Sequence, residues 1–297
     1  MKKYLGIDLG GTNVRVAKVD EEGKIESIVD APSHALEGPE KVLEVILELI
    51  GKTDMKGVEG IGIGVPGPVD EKTNRMTMST NIPGMDNYPL AEKITEVTGK
   101  KVVMNNDANV AGVAEAHVGA GKGYKIVYYI THSTGIGGAL VINGHIVTGR
   151  NGYAGEIANI VVKQADASIN HLNPGAVENE ASGTAIGRKG KEIFGEDGDT
   201  AYKVFELCRA GNEKAAALID EASRLIALMM ADIACVCAPD CFVIGGGCSK
   251  AHDLYFDRIR RYLNYYVHTG NADIPVLLAE CPEPGVIGAA LLAKTEI

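Results

Sequence analysis

Two segments of the chain share one local pattern: a β-strand runs into a Gly/Thr turn and continues as a second strand. The first, residues 4–16, contains Asp8-Leu-Gly-Gly-Thr12, and the second, residues 127–142, contains Ser133-Thr-Gly-Ile-Gly-Gly138. Each hairpin is followed by its own turn, at residues 21–24 and at Asn143-Gly144, so the match covers a whole supersecondary unit. The repeat predicts two related halves.

The turn residues of both hairpins indicate a phosphate site. Glycine allows a tight turn and the close approach of a ligand, while exposed N–H groups and hydroxyls can hold phosphate oxygens. The glycines are Gly10, Gly11, Gly135, Gly137 and Gly138, and the hydroxyls belong to Thr12, Ser133 and Thr134. Each turn alone could be an ordinary β-turn, but the repeated pair favours a nucleotide held between the two hairpins.

Length and charge limit the classes of protein. A chain of 297 residues with 45% hydrophobic residues can bury a large core and commonly divides into two domains. Its net charge is −10 and it has no Lys/Arg run, which argues against nucleic acid or an anionic membrane as a partner. Small molecules are the expected partners.

The sequence also predicts the cellular location of the protein. The start of the chain lacks the long apolar run of a signal peptide, and no apolar stretch approaches membrane-spanning length, so a cytoplasmic location is expected. The six cysteines are then predicted to be reduced core residues. The seven histidines show no paired spacing, and each is predicted to lie at the surface or in a turn.

Apolar spacing predicts alternating strands and helices. We expect strands at 58–65, 101–104 and 241–244, and helices at 39–50, around 90–97, from Asn109 to about Gly119, at 213–238 and at 285–294. This order implies mixed sheets covered by helices. The predicted domains are residues 1–119 together with the helix 285–297, and residues 120–284, with a cleft between them and a hinge near 119–123.

Two motifs are discounted and a third is absent. Gly62-Ile-Gly-Val-Pro-Gly67 fits a dinucleotide fingerprint, but Pro66 and Pro68 prevent the helix that such a site requires. No P-loop motif occurs. Cys235, Cys237 and Cys241 have a spacing that could bind zinc, yet buried thiols at the end of an apolar helix are favoured.

An Asn/Asp cluster lies where an apolar strand ends and a helix begins, which is where α/β sheets present ligands. It comprises Asn105, Asn106, Asp107 and Asn109. Asp107 could be a helix N-cap, but a cap needs only one such residue. We therefore interpret Asp107 as a candidate general base that takes a proton from a sugar hydroxyl, so that the oxygen attacks the terminal phosphate of a nucleotide.

Further polar residues are predicted in turns. They are Asn81, Glu156 and Glu178. Carboxylates and amides suit a polyhydroxylated ligand, since its hydroxyls need both donors and acceptors. Each residue alone could equally be a solvated loop residue.

Together these residues resemble the ROK sugar kinases (repressors, open reading frames and kinases) of the actin/hexokinase/Hsp70 superfamily, over nearly the whole chain. The matching motifs are Asp8-Leu-Gly-Gly-Thr12, Gly64-Val-Pro-Gly-Pro-Val-Asp70, Asn81-Ile-Pro-Gly84, Asn106-Asp-Ala-Asn109, Ser133-Thr-Gly-Ile-Gly-Gly138, Gly155-Glu156 and Gly245-Gly-Gly247. The resemblance implies an α/β fold of two duplicated ribonuclease H-like (actin-like ATPase) domains.

The resemblance also implies the roles of residues. ATP would be bound by Asp8, Gly10, Gly11, Thr12, Asn13, Ser133, Thr134, Gly135, Gly137, Gly246 and Gly247, with Mg²⁺ held by Asp8 through water. The sugar would be bound by Gly67, Asn81, Asn106, Asp107, Glu156, Asn159 and Glu178, and Asp107 takes the position of the family's base. Family members commonly form dimers or tetramers, so a homodimer or a dimer of dimers is expected.

The chain departs from the family pattern at its zinc motif. It has Gly155-Glu-Ile-Ala-Asn159 where the family usually has Gly-Glu-x-Gly-His, and residues 168–178 lack the expected cysteine motif. The structural zinc is therefore predicted to be absent. Asn159 still offers a donor and an acceptor to a sugar, so sugar binding is expected to persist with altered preference.

The resulting prediction is an ATP-dependent hexokinase of glucokinase type that phosphorylates O6. N-acetylmannosamine, N-acetylglucosamine, fructose, allose and β-glucosides stay open as substrates. A sugar-responsive repressor is disfavoured, because the first hairpin begins at Tyr4 and leaves no room for a helix-turn-helix. A sugar-binding protein without activity is the remaining alternative. The two hairpins are not equivalent, since Thr131 stands in the second where Asp8 stands in the first.

Overall fold

The computed structural model describes residues 1–79 and 81–297, and these residues form two compact units. The first unit comprises Met1–Lys125, Ala139–Gly155 and Glu280–Ile297, and the second comprises Ile126–Gly138 and Glu156–Ala279. The domain limits predicted from the sequence, 1–119 with 285–297 and 120–284, stay a prediction. In the observed units, residues 139–155 group with the first unit.

Strands and helices alternate along the chain. The strands are β1 (Lys3–Leu9), β2 (Asn13–Asp20), β3 (Ile25–Pro32), β4 (Val58–Val65), β5 (Val69–Asp70), β6 (Arg75–Met76), β7 (Val102–Asn106), β8 (Ile126–His132), β9 (Ile136–Ile142), β10 (His145–Ile146), β11 (Cys241–Gly245) and β12 (Val276–Leu278). The helices are α1 (Pro39–Gly51), α2 (Leu90–Thr98), α3 (Asp107–Val118), α4 (Val177–Ala181), α5 (Gly183–Phe194), α6 (Ala201–Arg209), α7 (Glu213–Cys237), α8 (His252–Tyr266) and α9 (Pro284–Glu296).

Two five-stranded sheets share one topology. Their strand orders are β3-β2-β1-β4-β7 and β10-β9-β8-β11-β12. In the first sheet β1 is antiparallel to β2 and parallel to β4, and in the second β8 is parallel to β11. The shared order confirms the duplicated mixed-sheet fold that the paired hairpins predict.

The strand register shows that Asp8 and Thr131 occupy equivalent positions in the two sheets. Asp8 on β1 lies opposite Gly64 of β4, and Thr131 on β8 lies opposite Gly245 of β11. Each residue therefore sits near the carboxyl end of a strand beside a parallel neighbour. One half of the duplication presents a carboxylate there and the other a hydroxyl.

Helix α9 packs directly on the first sheet. It contacts β1, β4 and α3. The sheet has glycine where the helix crosses it: a Cβ at Gly6 would lie 1.8 Å from the carbonyl oxygen of Val286, and a Cβ at Gly62 would lie 1.8 Å from the carbonyl oxygen of Ala289. Backbone therefore contacts backbone where helix crosses strand. Only glycine permits that approach.

Most predicted elements are observed, with shifted ends. The strand predicted at 101–104 runs on to Asn106, so helix α3 starts at Asp107 rather than Asn109. The elements not predicted from the sequence are strands β3, β5, β6, β10 and β12 and helices α4, α5, α6 and α8. In the part of the chain that the structure describes, no helix combines the length and the apolar character needed to cross a bilayer.

Two predictions about single residue types were wrong in part. All six cysteines are free, as predicted, but Cys235 is exposed on α7 and only Cys241 and Cys248 are buried. His132 is 2% exposed, not a surface or turn residue, because the alternation of β8 turns its side chain inward. Its ring nitrogens lie 2.9 Å from the Ala181 carbonyl oxygen and 3.2 Å from the Tyr255 hydroxyl.

Candidate active site

The turn between β1 and β2 is closed by backbone hydrogen bonds and presents exposed residues. Gly10 N–H donates to the Asn13 carbonyl at 2.9 Å, and Ser33 N–H donates to the Thr12 carbonyl at 2.8 Å. Gly11, Thr12 and Asn13 are exposed. Asn81 lies against this turn, since a Cβ at Gly11 would be 3.4 Å from the Asn81 Cβ. Thr80, which precedes Asn81 in the predicted turn, lies outside the described residues.

Two glycines of the second hairpin are closely packed, and the predicted approach of a ligand to the hairpin glycines stays a prediction. Gly10, Gly11, Gly135, Gly137 and Gly138 are not among the glycines with positive φ, whereas Gly246 has φ 87°. The second hairpin instead needs glycine because neighbouring side chains fill the space. A Cβ at Gly135 would lie 2.4 Å from Glu178 Oε2, and one at Gly138 would lie 2.8 Å from Ile157 Cδ1.

Asp8 is held by an ion pair inside the first unit. Arg15 Nη2 donates to Asp8 Oδ2 at 2.6 Å, and Arg15 Nη1 donates to Glu283 Oε2 at 2.5 Å. Burial lowers the pKa of Arg15, but the hydrogen bond and charge of Asp8 and the charge of Glu283 outweigh this, so that its pKa is raised. Arg15 therefore fixes one oxygen of the Asp8 carboxylate.

The Asn/Asp cluster lies at the junction of β7 and α3, as predicted. The N-cap of α3 is Asn106, whose Oδ1 accepts from Ala108 N–H at 2.8 Å. Asp107 Oδ1 accepts from the same N–H at 2.7 Å. Asn105 Oδ1 accepts from Asn106 N–H at 2.9 Å and from Asn109 Nδ2 at 2.7 Å. The capping role considered for Asp107 thus belongs mainly to Asn106.

The environment of Asp107 changes its acidity. Its side chain is reached by solvent, yet dense protein surrounds it, and this desolvation raises the pKa of its carboxyl above the ordinary value. The negative charge of Asp8 raises the pKa further, while the hydrogen bond from Ala108 N–H lowers it. A carboxylate with a raised pKa is a stronger base.

In the second unit, the turn between β8 and β9 is bound to the start of two helices. Glu178 Oε2 accepts from Ile136 N–H at 2.8 Å. Gly183 N–H donates to the Ser133 carbonyl at 2.8 Å, and Thr184 N–H donates to the Thr134 carbonyl at 3.2 Å. Glu178 was predicted in a turn but lies in the first turn of α4. Three hydrogen bonds thus connect the predicted phosphate turn to the segment that carries Glu178.

Asn159 anchors the segment where the family pattern has its cysteines. Its Oδ1 accepts from Asn173 N–H at 2.6 Å, so one acceptor position of the amide oxygen is already used within the protein. Glu156, exposed, directly precedes the short 3₁₀ helix that contains Asn159.

The same segment is fixed by further polar contacts. Val161 forms a β-bridge with Ala176, and Asn179 Nδ2 donates to the Ile169 carbonyl at 2.8 Å. Glu180 Oε2 lies 3.2 Å from Lys163 Nζ and 2.7 Å from Lys189 Nζ. Within residues 1–79 and 81–297, no group of three or more His, Cys, Asp or Glu side chains is arranged to hold a metal ion.

The second unit contains a cavity of about 830 Å³ beside the β8–β9 turn. Three residues predicted to bind ATP line it: Ser133, Thr134 and Gly247. Gly246 does not line it and packs on β8, where a Cβ would be 2.5 Å from the His132 carbonyl oxygen. Gly67, in the first unit, is closely packed too, since its Cβ would be 2.4 Å from the Met78 carbonyl oxygen.

Sequence reasoning missed the residues that form most of the cavity wall. They are Gly183, Thr184, Gly187, Arg188, Lys191, Asp199, Thr200, Ala201, Tyr202, Phe205, Arg209, Cys248, Lys250 and Ala251. Four of these side chains are cationic, in a chain whose net charge is −10. A sequence pattern could have predicted the helix that carries part of this wall. Ser182 is a typical N-cap, and an amphipathic segment follows it in which Arg188 and Lys191 are about one helical turn apart.

The duplicated sheets, each carrying its own glycine hairpin, define the class of actin-like ATPase folds. The chain belongs to the ROK family, whose model matches residues 4–296. It is 32% identical to a glucokinase from Thermotoga maritima over 99% of this chain and 98% of the relative, and 29% identical to an N-acetylmannosamine kinase from Citrobacter koseri over 98% of each.

A solved structure shows the same fold with ligands. The ROK family glucokinase from Streptomyces griseus, in complex with glucose and AMPPNP, superposes with a TM-score of 0.80 at 30% identity, covering 99% of each chain. The fold and the family predicted from the sequence are therefore confirmed.

Proposed function

We propose that this ATP-dependent sugar kinase transfers the γ-phosphate of ATP to the O6 hydroxyl of a hexose, with glucose as substrate and Asp107 as general base. Asp107 accepts the proton of the hydroxyl while the oxygen forms a bond to the γ-phosphorus. The bond from that phosphorus to the bridging oxygen of ADP breaks, and ADP leaves. The single observation that carries the assignment is the Asp107 carboxylate, held by Ala108 N–H and made more basic by its surroundings.

The donor side of the proposal rests on the second unit. The cavity of about 830 Å³ is large enough for a nucleoside, and pockets of this size commonly take small ligands. Ser133, Thr134 and Gly247 lie in its wall, and Arg188 and Lys250 add positive charge. Guanidinium and ammonium groups suit phosphate oxygens. We propose that the phosphates of ATP contact the turn at Ser133–Gly137 and the exposed turn at Gly10–Asn13.

The residues present also fit Mg²⁺. The ion prefers a few carboxylate oxygens together with water and substrate phosphates rather than a cage of protein ligands, and Asp8 offers such an oxygen opposite the one that Arg15 holds. When bound, Mg²⁺ neutralises charge on the transferred phosphoryl group. Arg15 keeps the Asp8 carboxylate in one orientation for that role.

The acceptor side of the proposal combines Gly67, Asn81 and Asn106 with Glu156, Asn159 and Glu178. Because the amide oxygen of Asn159 already accepts from Asn173 N–H, we propose that this residue contacts a sugar through its amide nitrogen, from which a hydroxyl or an acetyl carbonyl could accept. That property leaves N-acetylmannosamine, N-acetylglucosamine, fructose, allose and β-glucosides as alternative substrates. We further propose a cytoplasmic homodimer that holds no structural zinc.

The decisive experiment is the substitution Asp107→Asn. Loss of a general base should reduce kcat by a factor of about 100 or more, while the dissociation constant for glucose, measured by calorimetry, changes by less than about threefold because the amide keeps the shape of the side chain. Asp20→Asn, which changes a buried carboxylate at another turn, is the control. An Asp107→Asn enzyme that keeps more than about a tenth of wild-type kcat contradicts the assignment.

A screen of sugars tests the substrate. Release of ADP is followed in a coupled assay with glucose, fructose, allose, the two N-acetylated amino sugars and a β-glucoside. We expect the highest kcat/KM with glucose. No ADP release with any of them would favour a sugar-binding protein without activity, and metal analysis of the purified protein tests the absence of zinc.

A further inference from the structure

The outer edge of β7 is bound by one side chain. β7 is the last strand in the order β3-β2-β1-β4-β7, so among the described residues no strand pairs with its other side. Asn74 Nδ2 donates to the Val102 carbonyl at 2.9 Å, and Asn74 Oδ1 accepts from Met104 N–H at 2.8 Å. The amide thus gives two alternate residues of β7 the donor and the acceptor that a sixth strand would supply.

The backbone around Asn74 holds its amide in place. Asn74 ends the turn between β5 and β6, where its N–H donates to the Asp70 carbonyl at 2.8 Å and its φ is 53°. Asn adopts this left-handed conformation more readily than most residues. Thr73 N–H and Oγ1 both donate to Asp70 Oδ1, at 2.9 and 3.1 Å. Three hydrogen bonds to Asp70 therefore fix the conformation of the turn that carries Asn74.

The bound edge leads directly to the Asn/Asp cluster. Met104 is followed by Asn105, Asn106 and Asp107. In this run Asn105 Oδ1 accepts from the backbone N–H of Asn106, and Asn106 Oδ1 accepts from that of Ala108. A shift of Met104 therefore moves the start of α3. The same β5–β6 hairpin also packs on the Gly67 turn, because Met76 Cε would be 3.0 Å from a Cβ at Gly67.

We propose that Asn74 is a positioning residue for phosphoryl transfer: it fixes the carboxyl end of β7 against the β5–β6 hairpin and so holds Asp107 at a set distance from the Gly67 turn. This inference rests on the proposed function of Asp107. Asn74 is not one of the residues proposed to bind ATP or the sugar. Its effect on the reaction is exerted through the backbone of Val102 and Met104.

The test compares Asn74→Gly and Asn74→Asp with Asn143→Gly. Glycine accepts the positive φ and removes the amide, while aspartate keeps the oxygen for Met104 N–H and loses the donor to Val102. Asn143 has the same φ of 53° in the β9–β10 turn and an exposed side chain. Asn143→Gly is therefore the control for the effect of placing glycine at this backbone conformation. We expect kcat to fall about 10- to 100-fold in Asn74→Gly, by less in Asn74→Asp, and within about twofold of wild type in Asn143→Gly.

Two readouts separate positioning from general destabilisation. The KM for ATP should stay within about twofold of wild type in all three variants, since none of the residues proposed to bind ATP is changed. Hydrogen exchange at the Met104 amide should be faster in Asn74→Gly than in wild type. If kcat of Asn74→Gly stays within about twofold, or if kcat and the KM for ATP change together, the proposal is overturned.

Asn74→Asp keeps the test valid if Asn74→Gly does not fold, because its side chain has nearly the same shape. An unchanged kcat in Asn74→Asp, together with a Met104 amide that exchanges faster, would also overturn the proposal. A failure of the proposed function is seen separately: it appears as activity in Asp107→Asn, whatever the Asn74 variants do.

Discussion

The carboxylate of Glu178 accepts a hydrogen bond from the backbone N–H of Ile136 at 2.8 Å. Glu178 is a proposed sugar contact, and Ile136 lies in the turn proposed to hold phosphate. One side chain therefore connects the two halves of the proposed reaction within the second unit. A bound sugar whose hydroxyl donates to the other carboxylate oxygen of Glu178 would fix the position of this side chain. The hydrogen bond to Ile136 would then fix the turn as well.

The first prediction concerns this connection. Glu178→Asp is one methylene shorter and cannot reach Ile136 and a sugar together, so the KM for ATP should rise about fivefold and kcat should fall about tenfold. Glu178→Gln keeps an acceptor for Ile136 N–H and should leave the KM for ATP within about twofold while the KM for glucose rises. Initial rates over a grid of both substrates give these constants. Equal effects of the two variants on the KM for ATP would contradict a role for the hydrogen bond.

A second prediction concerns the glycine beneath Glu178. In Gly135→Ala the new methyl group would lie 2.4 Å from Glu178 Oε2, so either the carboxylate or the turn must move. We expect the free energy of unfolding in urea to fall by about 1–3 kcal/mol. Gly270→Ala, where the methyl group would meet no atom within 4 Å, is the matched control. Equal stability of the two variants would show that Glu178 adapts freely.

The third prediction separates the two roles of Asn159. Asn159→Asp keeps an oxygen for Asn173 N–H but loses the amide donor, whereas Asn159→Ala loses both. We expect both variants to raise the KM for glucose, by about tenfold, because each lacks the donor. Only Asn159→Ala should become sensitive to trypsin at Lys163, which lies in the anchored segment and is exposed. Rapid cleavage of Asn159→Asp at the same residue would contradict the anchoring role.

The fourth prediction is a dependence of stability on pH. Burial lowers the pKa of His132 to about 4, although the hydrogen bond with the Ala181 carbonyl opposes this. The pKa of a histidine in an unfolded chain is about 6.5. As the pH falls below that value, His132 is therefore protonated in the unfolded chain but stays neutral in the folded one. The contribution of His132 to stability should thus be complete above pH 6.5 and decrease towards pH 4, by about 3 kcal/mol in all.

Urea unfolding at several pH values between 7.5 and 4 checks this dependence. The free energy of unfolding should fall less steeply with acidification in His132→Gln than in wild type. His268→Gln changes an exposed histidine and should follow the wild-type curve. Parallel curves for wild type and His132→Gln would show that another group carries the acid sensitivity.

Local sequence signals were enough where a residue and its partner lie close along the chain. The apolar spacing of α1 and the polar run at Asn105–Asp107 predict their structures because each encodes a helix face or a strand end within a few residues. The paired hairpins predict the duplicated sheets for the same reason. The family resemblance then added roles that the residues alone left open.

Contacts across long stretches of sequence could not be predicted in this way. Asn74 meets the β7 backbone 28 and 30 residues further along, and an amide bonding a strand edge leaves no periodic pattern. Helix α4, which carries Glu178, has only five residues and is too short to show a helical period. Arg188 and Lys191 become cavity residues only because α5 packs beside the β8–β9 turn.

The glycine contacts of α9 determine when the first unit can fold. Gly6 and Gly62 leave one face of β1 and β4 open to receive the backbone of this helix, and α9 is synthesised after every residue of the second unit. During translation that apolar face has no cover while the second unit is being made. A chaperone that binds exposed hydrophobic surface should therefore engage the nascent chain early and release it only when residues 284–296 have emerged.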